Sequence, residues 1–360
     1  MSGSSPKISS KAPELMHVPG LVRISAVEAL EAAFGDTLRL LFSPFNTRRW
    51  MKLSVVCLFL GGGTTSAAFH WSLGTLPAEV GFREAVSDLV DFIAGNPFLI
   101  LSIILLGLGL SLILFYLRSI FRFVLVDAVV QGEISPRKAS RDLRRPARSY
   151  FTWLLGILMV VGTVLGAGAL LALPHLRAAA GSSGTGSLIF VALLASVLLV
   201  EIAVGLCIAL LITLTDDLVV PVMYAEQEKF AAAWRTVWRH FRAEPKAFGF
   251  YILLRFFMAV VVGAAVLFFL FPALVAIFSG AIISGALVVL TLRLVGVAWV
   301  WNPLTLFLSS LGLLVLLSVL LLVMSVVGMP GQVFLQNMGI RFIASRVPSL
   351  GVTLGRARQP

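Results

Sequence analysis

The sequence predicts an all-α protein: a polytopic transmembrane helical bundle of six spans, arranged as three hairpins with amphipathic helices on the cytoplasmic side. Three observations predict it. Hydrophobic residues make up 59% of the chain and charged residues 12%, against about 25% charged in a soluble domain. The apolar residues are gathered into runs of the length, about 20 residues, that crosses the hydrocarbon of a bilayer as a helix. Of the 28 lysines and arginines, only Arg83, Arg177 and Arg293 fall outside the four segments 1–52, 118–148, 229–255 and 341–358. Positive charge confined to alternate connections marks the cytoplasmic side of a multi-pass protein.

Taken in chain order, residues 1–23 are polar and rich in Ser and Pro. They read as a disordered cytoplasmic tail without the apolar core of a signal peptide. Residues 24–345 form a single transmembrane domain, and 346–360 a second cytoplasmic tail. Within the domain, Ile24, Val27, Leu30, Phe34, Leu38 and Leu41 recur at helical spacing and predict an amphipathic helix. The spans follow at 53–71, 97–117, 150–173, 187–214, 247–271 and 303–327. Nothing but a helix satisfies its own backbone in lipid over runs this long, because barrel strands are about half the length.

The connections differ in kind. Residues 74–96 carry Glu79, Glu84, Asp88 and Asp91 around Val80, Val86, Leu89 and Ile93, and predict a short surface helix. Residues 174–186 end in Gly-Ser-Ser-Gly-Thr-Gly and predict a flexible loop. Residues 272–302 are apolar enough for a seventh span. A seventh crossing would move Arg341, Arg346, Arg356 and Arg358 to the opposite face, so 272–302 reads as an interfacial or re-entrant element anchored by Trp299 and Trp301.

A unit of basic amphipathic segment, span, outer connection and returning span recurs over 25–125, 135–220 and 229–330. Each copy closes on a comparable passage: Leu125-Val-Asp127, Val219-Val-Pro221 and Met329-Pro330. Ser135-Pro136 has the residue types of a helix N-cap and first turn. In the third copy Phe230, Trp234, Val237, Trp238 and Phe241 alternate at helical spacing with Lys229, Arg235, Arg239 and Arg242. Such a helix is expected in the headgroup plane with rings down, its basic residues each worth about 1 kcal/mol near an anionic leaflet. Lys229, Arg235, Arg239 and Arg242 are therefore the candidate anionic-lipid contacts; the plainer reading is that such helices only anchor and orient the spans.

Chemistry has few candidates. Glu201 stands alone at mid-span, where an ionised carboxylate costs several kcal/mol, and is the candidate intramembrane polar site. Asp127, Asp216 and Asp217 sit at cytoplasmic span ends, where pairing with arginines such as Arg118 and Arg122 outweighs cation binding. His17, His70, His175 and His240 are isolated, and Cys57 and Cys207 lie in apolar runs. No catalytic, cofactor-binding or metal-binding set emerges, so neither an enzyme nor a cofactor is expected. The basic excess interrupts apolar runs instead of forming a basic domain, which argues against nucleic acid.

The basic stretches after Asp127 and Pro221 and the closing Met329-Pro-Gly-Gln-Val-Phe334 passage resemble uncharacterised bacterial six-helix inner-membrane proteins. These look related to the membrane domain found beside some glycerophosphodiester phosphodiesterases. The resemblance covers roughly 25–345 and implies a bacterial inner-membrane protein of unknown activity; the charge pattern predicts that both termini are cytoplasmic. It implies no phosphodiesterase chemistry, because the His-Arg-Gly motif is missing. The expected role is a non-enzymatic component that organises membrane lipids of the anionic leaflet, a membrane-protein partner or further copies of itself. The alternative is a transporter or permease component with Glu201 in its pathway.

Overall fold

The computed structural model describes residues 23–43, 45–60, 95, 97–132, 141–180, 185–294 and 303–356. Among them regular structure is helical throughout, apart from an isolated bridge between Phe42 and Phe45. The helices are α1 (Ala26–Phe42), α2 (Thr47–Phe59), α3 (Pro97–Gln131), α4 (Arg144–Ala180) and α5 (Thr185–Leu214). A π-helical turn (Thr215–Val219) joins α5 to α6 (Val220–Glu226), and α7 (Phe230–Ala243), α8 (Pro245–Leu294), α9 (Pro303–Ala344) and α10 (Pro348–Arg356) follow.

Four helical stretches are long and apolar enough to cross a membrane: Arg144–Gly168, Leu199–Glu226, Pro245–Thr291 and Ser310–Ala344. The expected first span, 53–71, is described only as far as Leu60, and the expected second lies within α3. Three expectations lie outside the described residues: the surface helix of 74–96, the Ser135-Pro136 cap, and anchoring by Trp299 and Trp301.

One expectation is corrected outright. Residues 272–294 are not re-entrant, because α8 runs unbroken through Pro272 to Leu294. Proline removes one backbone donor and crowds the preceding turn, but neighbouring turns keep their own bonds. At 1.5 Å per residue the 50 residues of α8 span about 75 Å, more than twice the roughly 30 Å of hydrocarbon.

The packed core sits at one end of the molecule. Its buried residues come from α1, α2, the C-terminal half of α3, the start of α4, the π turn with α6, α7, the start of α8, the C-terminal third of α9, and α10. Beyond that layer the helices expose bulky apolar side chains such as Leu106, Met159, Leu199, Phe268 and Leu313. That is how lipid-facing surface looks when the solvent is as apolar as the side chain. The three closing passages converge in this layer: Asp127, Pro221 and Met329 are all buried.

Local chemistry sets the entrance to the layer. Ser25 caps α1 in a reciprocal box: Glu28 N–H donates to Ser25 Oγ (3.2 Å), and Ser25 N–H donates to Glu28 Oε2 (2.7 Å). Asn46 caps α2, its Oδ1 accepting from Arg48 N (3.0 Å) and Arg49 N (3.3 Å). Trp50 Nε1 donates to Leu41 O (2.8 Å) and fastens the corner between the two helices.

The buried face of α1 is not its bulkiest one. Ala26, Ala29, Ala33, Thr37 and Leu41 point inward, where α1 packs along α9. Val27, Phe34 and Leu38 are exposed, Phe34 by 59%. A stripe of small residues lets two helix backbones approach closely, and the large side chains are left on the outer flank.

Candidate functional site

The densest polar chemistry among the described residues lies where α5 gives way to the π turn. The local cause is sequence. Val220 N–H reaches back five residues to Thr215 O, and residue 221 is a proline with no N–H to offer Asp216 O or Asp217 O. Gln336 on α9 fills the first gap, Nε2 donating to Asp216 O at 3.3 Å. Gly339, one turn on, brings α9 against the second. A Cβ there would stand 2.6 Å from Asp217 O and 2.8 Å from Asp217 Cβ, so no side chain fits. A π bulge of this kind inside an α-helix often accompanies a functional site.

The bulge aims two carboxylates inward, and three helices answer them. Arg122 on α3 places Nη2 3.1 Å from Asp216 Oδ2 and 3.7 Å from Asp217 Oδ1. Arg255 on α8 binds Asp217 through Nε, with Nη2 3.4 Å from Oδ1. Tyr150 of α4 donates to Asp216 and Tyr251 of α8 to Asp217, the latter at 3.4 Å. The Asp217 side chain is fully buried, and Arg255 and Arg122 are exposed by only 12% and 15%. Two cations against two anions leave the cluster neutral, which is the condition for keeping charges out of water. Close by, Tyr224 donates to Asp127 Oδ1 (2.7 Å) and accepts from Gln131 Nε2 (2.9 Å).

The expected pairing of Asp216 and Asp217 with Arg122 is therefore present. Sequence reasoning missed Arg255, Tyr150, Tyr251 and Gln336. Arg255 was counted with the surface basic run 229–255, yet it is the one cation inside the apolar stretch 247–271, and a charge in a span is itself the signal. Among the described residues no group of three or more His, Cys, Asp and Glu is arranged to hold a metal ion.

The other expected site residues lie elsewhere. Glu201 is on the exposed surface of α5, and none of the described residues hydrogen-bonds or ion-pairs with it. Fifteen residues of helix, about 22 Å, separate it from Asp216. Lys229, Arg235, Arg239 and Arg242 are all exposed on or beside α7. The expectation that the rings of α7 point into lipid is corrected. Ala233 and Val237 are buried in the protein, and Phe230 stacks between Trp153 of α4 and Trp234 (centroids 4.4 and 6.0 Å). Only Trp238 is left largely exposed, with Arg242 over its ring at 5.3 Å. His240, half-buried on the same helix, is held below its ordinary value, first by burial and then by the Arg239 guanidinium.

At the outer rim Glu244 ties the ends of three helices, pairing with Arg23 before α1 and with Arg346 after α9 (3.1 Å). Arg346 also lies over the Phe342 ring at 3.9 Å, and burial pulls it below the usual arginine range against the opposing pull of Glu244.

An all-helical chain with four helices long and apolar enough to cross a membrane, joined through a buried charged layer at one end, has the features of an integral membrane protein. Residues 24–353 match a family described as "Family of unknown function (DUF7544)", and the chain belongs to that family. No curated protein and no solved structure matches it. The family match carries no activity, and nothing in it points to the membrane domain of glycerophosphodiester phosphodiesterases.

Proposed function

We propose that this chain is a non-enzymatic, multi-pass component of a bacterial inner membrane that gathers anionic lipid against its basic end. In this reading six spans cross the bilayer, both termini are cytoplasmic, and the buried layer lies at the cytoplasmic surface. One observation carries the reading. On α7 the apolar residues Ala233 and Val237 are spent on the protein core, while Lys229, Arg235, Arg239 and Arg242 stand exposed, with no ion pair among the described residues. Cations held outward on a rigid helix, none at ion-pair distance from a carboxylate among the described residues, suit lipid phosphate. The outer flank of α1 (Val27, Phe34 and Leu38) supplies the matching apolar contact.

The transport alternative loses its anchor, since Glu201 lies on the exterior of α5 and far from the Arg122–Asp216–Asp217–Arg255 cluster. The test is native mass spectrometry of the full chain released from nanodiscs of mixed zwitterionic and anionic lipid. Retained lipid should be enriched in the anionic species. Replacing Arg235, Arg239 and Arg242 together by Gln should lower that enrichment by about tenfold or more. Equal retention of both lipid classes by the natural chain would overturn the proposal.

A further inference from the structure

Five buried side-chain atoms have no hydrogen-bond partner among the described residues: Ser54 Oγ, Arg122 Nε, Gln332 Nε2, Gln332 Oε1 and Gln336 Oε1. They are not scattered. Ser325, Gln332 and Gln336 stand at i, i+7 and i+11, and so share one face of α9. Ser325 Oγ donates to Ser54 O across to α2. At the other end Gln336 donates to Asp216 O, and Arg122 pairs with the Asp216 carboxylate. The unmade bonds thus trace one track along α9, from the Ser54–Ser325 contact to the charged cluster, about 16 Å long.

Both ends of Gln332 lack a partner among the described residues, while the orientation of Gln336 is fixed by its bond to the Asp216 carbonyl. Flipping Gln336 would set its oxygen against the Asp216 carbonyl oxygen and orphan its nitrogen. A buried polar atom without a partner carries its full desolvation cost. The track offers donors (Arg122 Nε, Gln332 Nε2) and acceptors (Gln332 Oε1, Gln336 Oε1, Ser54 Oγ) in succession. A ligand that satisfies such a mixture must itself donate and accept at each step, and water does so with two to four partners per molecule.

We propose that this track is a binding site for a file of ordered water molecules, which hydrates the Arg122–Asp216–Asp217–Arg255 cluster from within the bundle. The inference is independent of the lipid reading. Two methionines make it testable. Met329 is completely buried and lies on the same face of α9 as Gln332, three residues before it; Met338 is equally buried but lies on the opposite face.

In radiolytic footprinting of the full chain in nanodiscs, hydroxyl radicals formed from bound water oxidise the side chain beside it. Met329 should be converted to sulfoxide about tenfold or more faster than Met338, because only Met329 borders water. Gln332→Leu should remove that difference and lower the thermal midpoint by removing groups the water binds. Met329 as protected as Met338 in the natural chain would overturn the proposal, whatever the variant does. So would a Gln332→Leu chain with a higher midpoint, since that is the outcome of deleting an amide in a dry site.

Discussion

Replacing Asp217 by Asn removes one charge while preserving shape, and the structure sets the size of the consequence. The Asp217 carboxylate is fully buried, with Arg255 Nη2 at 3.4 Å and Arg122 Nη2 at 3.7 Å. At an effective dielectric constant of about 20, one pair at that separation has a gross attraction of about 5 kcal/mol. Losing one partner of such a pair costs about 3–5 kcal/mol, most of it the penalty of leaving Arg255 buried and uncompensated. Arg255→Met should cost a similar amount for the reciprocal reason. The double variant Asp217→Asn/Arg255→Met leaves no stranded charge at this pair, so its cost should fall short of the summed single costs by about 2 kcal/mol or more. Denaturant unfolding in detergent, followed by circular dichroism, measures the cycle. Additivity within about 0.5 kcal/mol would refute the reasoning, because it would mean that the two residues do not share one buried electrostatic environment.

The remaining predictions concern packing, the exposed carboxylate and pH. Gly339→Ala should destabilise by about 1–3 kcal/mol or more, because the new Cβ meets the Asp217 backbone, which cannot rotate away. Gly331→Ala meets only Val262 Cγ1, so Val262→Ala should restore its thermal midpoint while leaving Gly339→Ala unrescued. Ala33→Leu should lower the midpoint by wedging α1 off α9, whereas Val27→Ala on the outer flank should leave it nearly unchanged. Glu201→Gln should alter unfolding stability by less than about 0.5 kcal/mol. His240 resists protonation in the folded state, so between its folded value and its ordinary 6.5 the unfolded chain binds more protons. Its contribution is therefore complete above 6.5 and is lost as pH falls through that window. His240→Gln should flatten the midpoint-against-pH curve as pH falls below 6.5.

Class and helix content were legible because lipid imposes them: long apolar runs have only one way to satisfy their backbone. The faces were less legible. On α1 the spacing of Val27, Phe34 and Leu38 marks a real stripe, but apolar periodicity cannot tell a face buried by protein from one turned to lipid, and here the alanines pack. On α7 the same rule pointed Phe230 and Trp234 to the bilayer, while Trp153 on α4, distant in sequence, stacks on Phe230, which in turn stacks on Trp234. The re-entrant reading of 272–302 followed from the sidedness of the C-terminal arginines, which outweighed helix continuity there, yet one helix runs through Pro272 to Leu294. The Asp216–Asp217 pair was visible as charge at a span end. Its geometry was not, because it depends on Pro221 withdrawing a donor locally and on Gln336 and Gly339 more than a hundred residues away. Arg255 shows the opposite failing: its signal was present, an arginine inside an apolar run, but it was counted with its basic neighbours.

In the proposed reading the basic end of the molecule lies at the lipid surface. Nitroxide labels at Phe34→Cys and Leu38→Cys test it most directly, in a Cys207→Ser background that leaves the buried Cys57 in place. In membranes, collisions of both labels with oxygen should exceed collisions with a water-soluble nickel complex, placing the outer flank of α1 in the acyl boundary. Nickel collisions exceeding oxygen collisions at both positions would put that flank in water and rule out a lipid-facing basic end.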